Sequence, residues 1–138
     1  MDFYLHDVSD FPFVALRSDR CPPGFAAQWG SEMNALLDSG RMFVVAFEPE
    51  ALSETPEDFR TRGVWFKKNR HLLAGRCAAM IAIVPDAQVR ADNATDMAKR
   101  SRGFDVLYCA MATVEEARES TNGLIADARQ AMSRVSQR

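Results

Sequence analysis

The stretch that decides the fold is Ala78-Ala79-Met80-Ile81-Ala82-Ile83-Val84, closed by Pro85-Asp86. It is apolar throughout, so it has no wet face, and it is far too short to cross a membrane. Its length and its Pro-Asp stop make it a strand buried on both faces, the pattern of a parallel sheet covered by helices. A second run of the same kind, Met42-Phe43-Val44-Val45-Ala46-Phe47, lies upstream, and two weaker runs, Phe11 to Leu16 and Phe104 to Ala110, flank the pair. The segments between these runs are too long for hairpins and suit crossover helices. The expectation is therefore an α/β fold in βαβαβαβα order. It is one small domain over residues 1–138, with a mostly parallel four-stranded sheet flanked by helices. Phe3, Leu5 and Val8 in the first ten residues suggest an extra antiparallel edge strand.

Helical periodicity fills the gaps. After Pro22-Pro23-Gly24, the residues Phe25, Trp29, Met33 and Leu36 form an apolar stripe that Gly40 ends. Thr55-Pro56-Glu57-Asp58 reads as a capping box at the start of a long helix. Its buried stripe is expected at Phe59, Gly63, Phe66 and Leu73, with Trp65 and Leu72 on the shoulder and Lys67, Lys68 and His71 outside. A weaker helix, near Ala87 to Arg100, offers only Ala87, Ala91, Ala94 and Ala98 on its apolar side. The last helix opens with Thr113 and Glu116, a second capping box, and the final Ser136-Gln137-Arg138 is expected to fray.

The charge is uneven. The net charge of -2 argues against a general polyanion binder. Yet residues 1–58 carry three basic and eleven acidic side chains, net -8, whereas residues 59–102 carry ten and three, net +7. The stretch Phe59 to Pro85 contains no acid at all. Cys21, Cys77 and Cys109 show no CxxC spacing, and the first residues lack a basic, apolar leader, so a reducing, cytoplasmic setting is expected. No apolar run approaches a membrane span.

The layout resembles small bacterial proteins of the SpoIIAA-like, STAS or Sec14-like fold. The residues that carry the likeness are the early strand Phe13-Val14-Ala15-Leu16, the strand Met42 to Phe47, a long helix with Trp65-Phe66-Lys67-Lys68, the strand Met80 to Val84 closed by Pro85-Asp86, and a final helix with Glu115-Glu116-Ala117. Anti-sigma-antagonist members carry a phosphorylatable serine at a helix start after the central strand. Here that region reads Leu52-Ser53-Glu54-Thr55-Pro56, with no Asp-Ser-Ser-Gly-type segment. The resemblance thus implies a dimeric or partner-binding module rather than a phospho-switch.

Candidate sites divide into two groups. The interaction surface expected on the basic helix comprises Trp65, Arg62, Lys67, Lys68, Arg70 and His71, with Trp65 as an anchor for a protein partner or a second copy. Nucleic acid ranks below a protein, given the net charge. The alternative is a ligand cleft or small enzyme site at the carboxyl ends of the strands, with Arg17, Ser18, Glu48, Asp86 and Thr113. Glu48 and Asp86 would be its paired acids, against a plainer role for Asp86 as a helix cap. Cys21, close to a helix start, is the cysteine to ask about as a nucleophile. His6, beside the terminus, reads as an ordinary surface histidine. Catalytic residues are not assigned, and neither a cofactor nor a metal is called for: HExxH, GxGxxG and GxxxxGK[ST] are all missing.

Overall fold

Continuous apolar sequence does form the inner strands. The computed structural model describes residues 2–136, so the expectation for Gln137 and Arg138 lies outside the described residues. The elements run β1 (His6–Asp7), β2 (Phe13–Leu16), α1 (Ala26–Asp38), β3 (Phe43–Phe47), α2 (Pro56–Lys68), α3 (Arg70–Arg76), β4 (Cys77–Ile83), α4 (Ala87–Phe104), β5 (Leu107–Met111) and α5 (Val114–Ser136). The sheet order is β1-β2-β3-β4-β5. β1 is antiparallel to β2, and the remaining pairs are parallel. The fifth, antiparallel edge strand is present but only two residues long.

Each parallel crossover steps to the adjacent strand in the same direction, so right-handed connections put their helices on one face. The buried side chains agree. Val14, Phe43, Val45, Met80 and Tyr108 join α1, α2 and α3, with Met97 and Phe104 of α4 packed against the same layer. The alternate positions Phe13, Val44, Ala46, Ile81 and Ile83 pack on Ala117 and Ile125 of α5, which covers the other face alone. The register shifts where Phe43 meets Cys77 and Val44 meets Ala79, which lets Ala78 and Ala79 both lie on the α5 side.

Two local expectations need correction. The single helix over the basic segment is broken at Asn69, whose side chain turns back to the Trp65 carbonyl at 2.9 Å. Its buried face is also rotated: Asp58 and Trp65 are buried, whereas Phe59 is 67% exposed. The last strand starts later than expected because Phe104 ends α4 and Asp105 turns the chain in the left-handed region, at φ 56°. α4 has no fully buried residue, in keeping with its alanine-only side.

Candidate functional site

The face of α2 is set by one carboxylate. Thr55 caps the helix, and Asp58, the third helical residue, closes the box: Asp58 N–H donates to Thr55 Oγ1 at 3.0 Å and Thr55 N–H to Asp58 Oδ2 at 3.2 Å. Asp58 also accepts from Gly24 N at 2.9 Å and Ala26 N at 3.2 Å, so it joins the starts of α1 and α2. Burial alone would raise its pKa, but these donors outweigh it and hold the carboxyl below its ordinary range. With Asp58 turned inward, helical phase brings Trp65 and Phe66 in and leaves Phe59 and Val64 out.

Trp65 is consequently not the surface anchor expected from sequence. It is 9% exposed, its indole N–H donates to Asn34 Oδ1 at 2.9 Å, and its ring meets Trp29 edge-on at 5.0 Å between centroids. Arg62 is also largely withdrawn: it pairs with Glu54 and lies over the Trp29 ring at 4.8 Å. Arg70 reaches Asp105 at 3.7 Å. Lys67, Lys68 and His71 remain exposed, as expected. The apolar positions beside them are Phe59, Val64 (65% exposed) and Leu72. Sequence reading had put Phe59 in the core; the buried Asp58, already marked as a capping residue, was the signal that fixed the phase.

Beside Phe59 a cleft of about 240 Å³ opens between α2 and α4. Its walls are Phe66, Phe104 and Tyr108, with ring centroids 6.1 and 6.2 Å apart in sequence, and Arg62 and Arg100 stand at it. Burial pushes the Tyr108 phenol up to about 12. Arg100 and Phe47 also border a smaller hollow at the strand carboxyl ends, with Pro49 and Val84.

The residues named for a carboxyl-end cleft line neither hollow. Because strands β2 to β5 run side by side, Arg17-Ser18, Glu48, Asp86 and Thr113 follow one another along the sheet edge. Each has a local partner or turn. Arg17 pairs with Asp19 at 3.2 Å, Ser18 opens a short 3-10 turn, and the Glu48 carbonyl accepts from Ala51 N at 3.1 Å. Asp86 caps α4 through Gln88 N at 2.8 Å, and Thr113 Oγ1 accepts Glu116 N at 3.1 Å.

Two residues behave differently from their sequence reading. His6 is buried, 2% exposed, with Nδ1 2.9 Å from Glu32 Oε1, so it is not a surface histidine. Glu32 also accepts from the backbone N–H of Tyr4, Leu5 and His6 and from Gln28 Nε2. Burial opposes its charge, but these donors prevail and set its pKa at about 2. Cys21 is buried, its thiol donates to the Arg17 carbonyl at 3.2 Å, and burial with the nearby Glu32 charge pushes it up to about 11. That environment is the reverse of an activated thiol. Among the described residues, no group of three or more His, Cys, Asp or Glu is placed to hold a metal, and no helix is long and apolar enough to cross a membrane.

The fold defines a small α/β protein with a mostly parallel five-stranded sheet, an antiparallel edge and flanking helices. Compared with protein-family models, curated proteins and solved structures, the chain matches none.

Proposed function

We propose that this chain is a partner-binding module of SpoIIAA-like layout whose working surface is the outer face of α2. One observation carries the reading: Phe59 and Val64 stand exposed among Arg60, Lys67 and Lys68, and among the described residues these three cations pair with no carboxylate. Large exposed apolar groups framed by charge are the usual anatomy of an interface. The free positive charge selects an acidic, amphipathic segment of a partner protein. Phe59 borders the aromatic cleft, which gives an apolar side chain of that segment a place to enter.

The test is an amide chemical-shift titration with an amphipathic Glu/Leu peptide, a Lys/Leu peptide and a single-stranded oligonucleotide. Shifts over residues 59–68 with the acidic peptide are expected, lost in Phe59→Ser and in Lys67→Glu/Lys68→Glu, with melting temperatures unchanged. Tighter binding of the oligonucleotide would sink the proposal. So would a dimer by light scattering that Phe59→Ser dissolves, since the face would then serve self-association.

A second reading rests on the cleft itself. The Tyr108 phenol and the Arg100 guanidinium beside aromatic walls suit a small planar anion, a variant of the carboxyl-end ligand reading with other residues. Arg100→Ala would then abolish binding of an aromatic carboxylate and leave the peptide titration intact; equal binding by the variant refutes it.

A further inference from the structure

A separate hollow of about 620 Å³ lies at the opposite end of the sheet, where the strands begin. Three arginines enter it from three parts of the chain: Arg41 from the turn between α1 and β3, Arg76 from the last turn of α3, and Arg129 from the body of α5. Among the described residues, no Asp or Glu stands in its wall, none of the three arginines forms an ion pair, and the buried Nε of Arg76 has no hydrogen-bond partner. Like charges gathered without counter-charge repel, and a buried guanidinium N–H left unpaired is costly.

A purely structural account covers part of this. α1 and α3 both end at this rim, and a cation near a helix carboxyl end offsets the helix dipole. Arg41 also lies over the Phe11 ring at 4.8 Å. Neither reason applies to Arg129, which stands well inside α5 and still borders the same hollow. The carbonyl ends of helices repel anions, so any anion here is held by side chains and not by helix amides.

We propose that this hollow is a binding site for a phosphate group carried on a small apolar body, an organic phosphomonoester. Guanidinium forks match phosphate oxygens in pairs, and the Asn122 side chain in the wall offers one further donor. Ile125 and Met132 of α5 supply the apolar side. Gly75 also lines the hollow, and an added Cβ there would stand in open space.

The experiment uses the full chain with inorganic phosphate and phenyl phosphate, at constant ionic strength, by calorimetry and amide shifts. Phenyl phosphate is expected to bind saturably and more tightly than inorganic phosphate, with shifts at residues 40–42, 75–76 and 122–132. Arg129 is exposed, so Arg129→Ala leaves the core alone. Removing one charge-assisted pair predicts a loss of about tenfold or more. Arg129→Lys falls between, and Lys67→Ala, on the α2 face, changes nothing. Two results would overturn the site: no saturable binding of either phosphate, or equal losses in Arg129→Ala and Lys67→Ala, the sign of nonspecific charge screening.

Discussion

Replacing Glu32 by Gln isolates a buried electrostatic lock that ties the first residues of the chain to α1. Its carboxylate accepts from Tyr4 N at 3.2 Å, Leu5 N at 3.1 Å, His6 N and Nδ1 at 2.9 Å and Gln28 Nε2 at 2.7 Å. Folding lowers its pKa from 4.5 to about 2. A depressed carboxyl contributes stability that is fully present above its unfolded pKa and is lost as pH falls through the folded one. At 1.36 kcal/mol for each tenfold change in proton affinity, the contribution is about 3 kcal/mol at pH 7. The change to Gln removes it and also turns an NH₂ toward groups that donate. Urea unfolding at pH 7 should show a midpoint lower by roughly 2 M. In a chain of this size the melting temperature should fall by roughly 10 °C. At acid pH, where Glu32 of the parent chain is itself protonated, the two curves should converge. Asp7, Asp19 and Asp58 also have lowered pKa values, so only the difference between the two proteins reports on Glu32. An unchanged midpoint at pH 7, or a gap as wide at acid pH as at neutral, would refute the reasoning.

The remaining expectations are simpler. With Cys21 near pKa 11 and Cys77 near 12, the thiolate of either is about one part in ten thousand or less at pH 7. A disulfide reagent should therefore modify half-buried Cys109 first and all three only after unfolding; fast loss of Cys21 would contradict its burial. Gly123 lies inside α5 with nothing within 4 Å of an added methyl, so Gly123→Ala should stabilise by ~0.5–1 kcal/mol. A lower melting temperature would contradict a continuous helix through that position.

Strand identity was legible because Val44, Val45, Ile81 and Ile83 carry no polar alternation, and burial on both sheet faces leaves no other reading. The capping residues Thr55 and Asp58 and the turn at Gly40, with φ 71°, were equally plain from local chemistry. The face of α2 was not. Phe59 and Trp65 are both large and aromatic, and their phase around the helix turns on a distant fact: the Asp58 carboxylate is drawn inward by the amides of Gly24 and Ala26. His6 and Glu32 were missed for the same reason. Both are polar, and only the approach of the first residues to α1 makes them each other's partner. The arginines of the amino-end hollow come from positions 41, 76 and 129, a grouping no local pattern contains.

Sheet order also bears on where the proposed partner would dock. Strands β2 to β5 follow one another without reversal, so the sheet has no switch point, the place where open α/β sheets form a crevice at their carboxyl ends. Glu48 and Asp86 follow the neighbouring strands β3 and β4, and neither lines the hollow at that end of the sheet. The outer strand β5 would be the next place to expect association, because a bare edge invites pairing. Here the chain occupies much of it from within. Ser101 Oγ accepts the Tyr108 N–H at 2.8 Å and lies 3.2 Å from the Tyr108 carbonyl oxygen, and Glu116 takes the Ala112 N–H at 3.2 Å. The opposite edge, β1, offers only His6 and Asp7, and Glu32 already accepts the His6 amide. With both edges blunted, the association proposed above is left to the helix layer. There α2 exposes Phe59 and Val64 beside Arg60, Lys67 and Lys68, which pair with no carboxylate among the described residues.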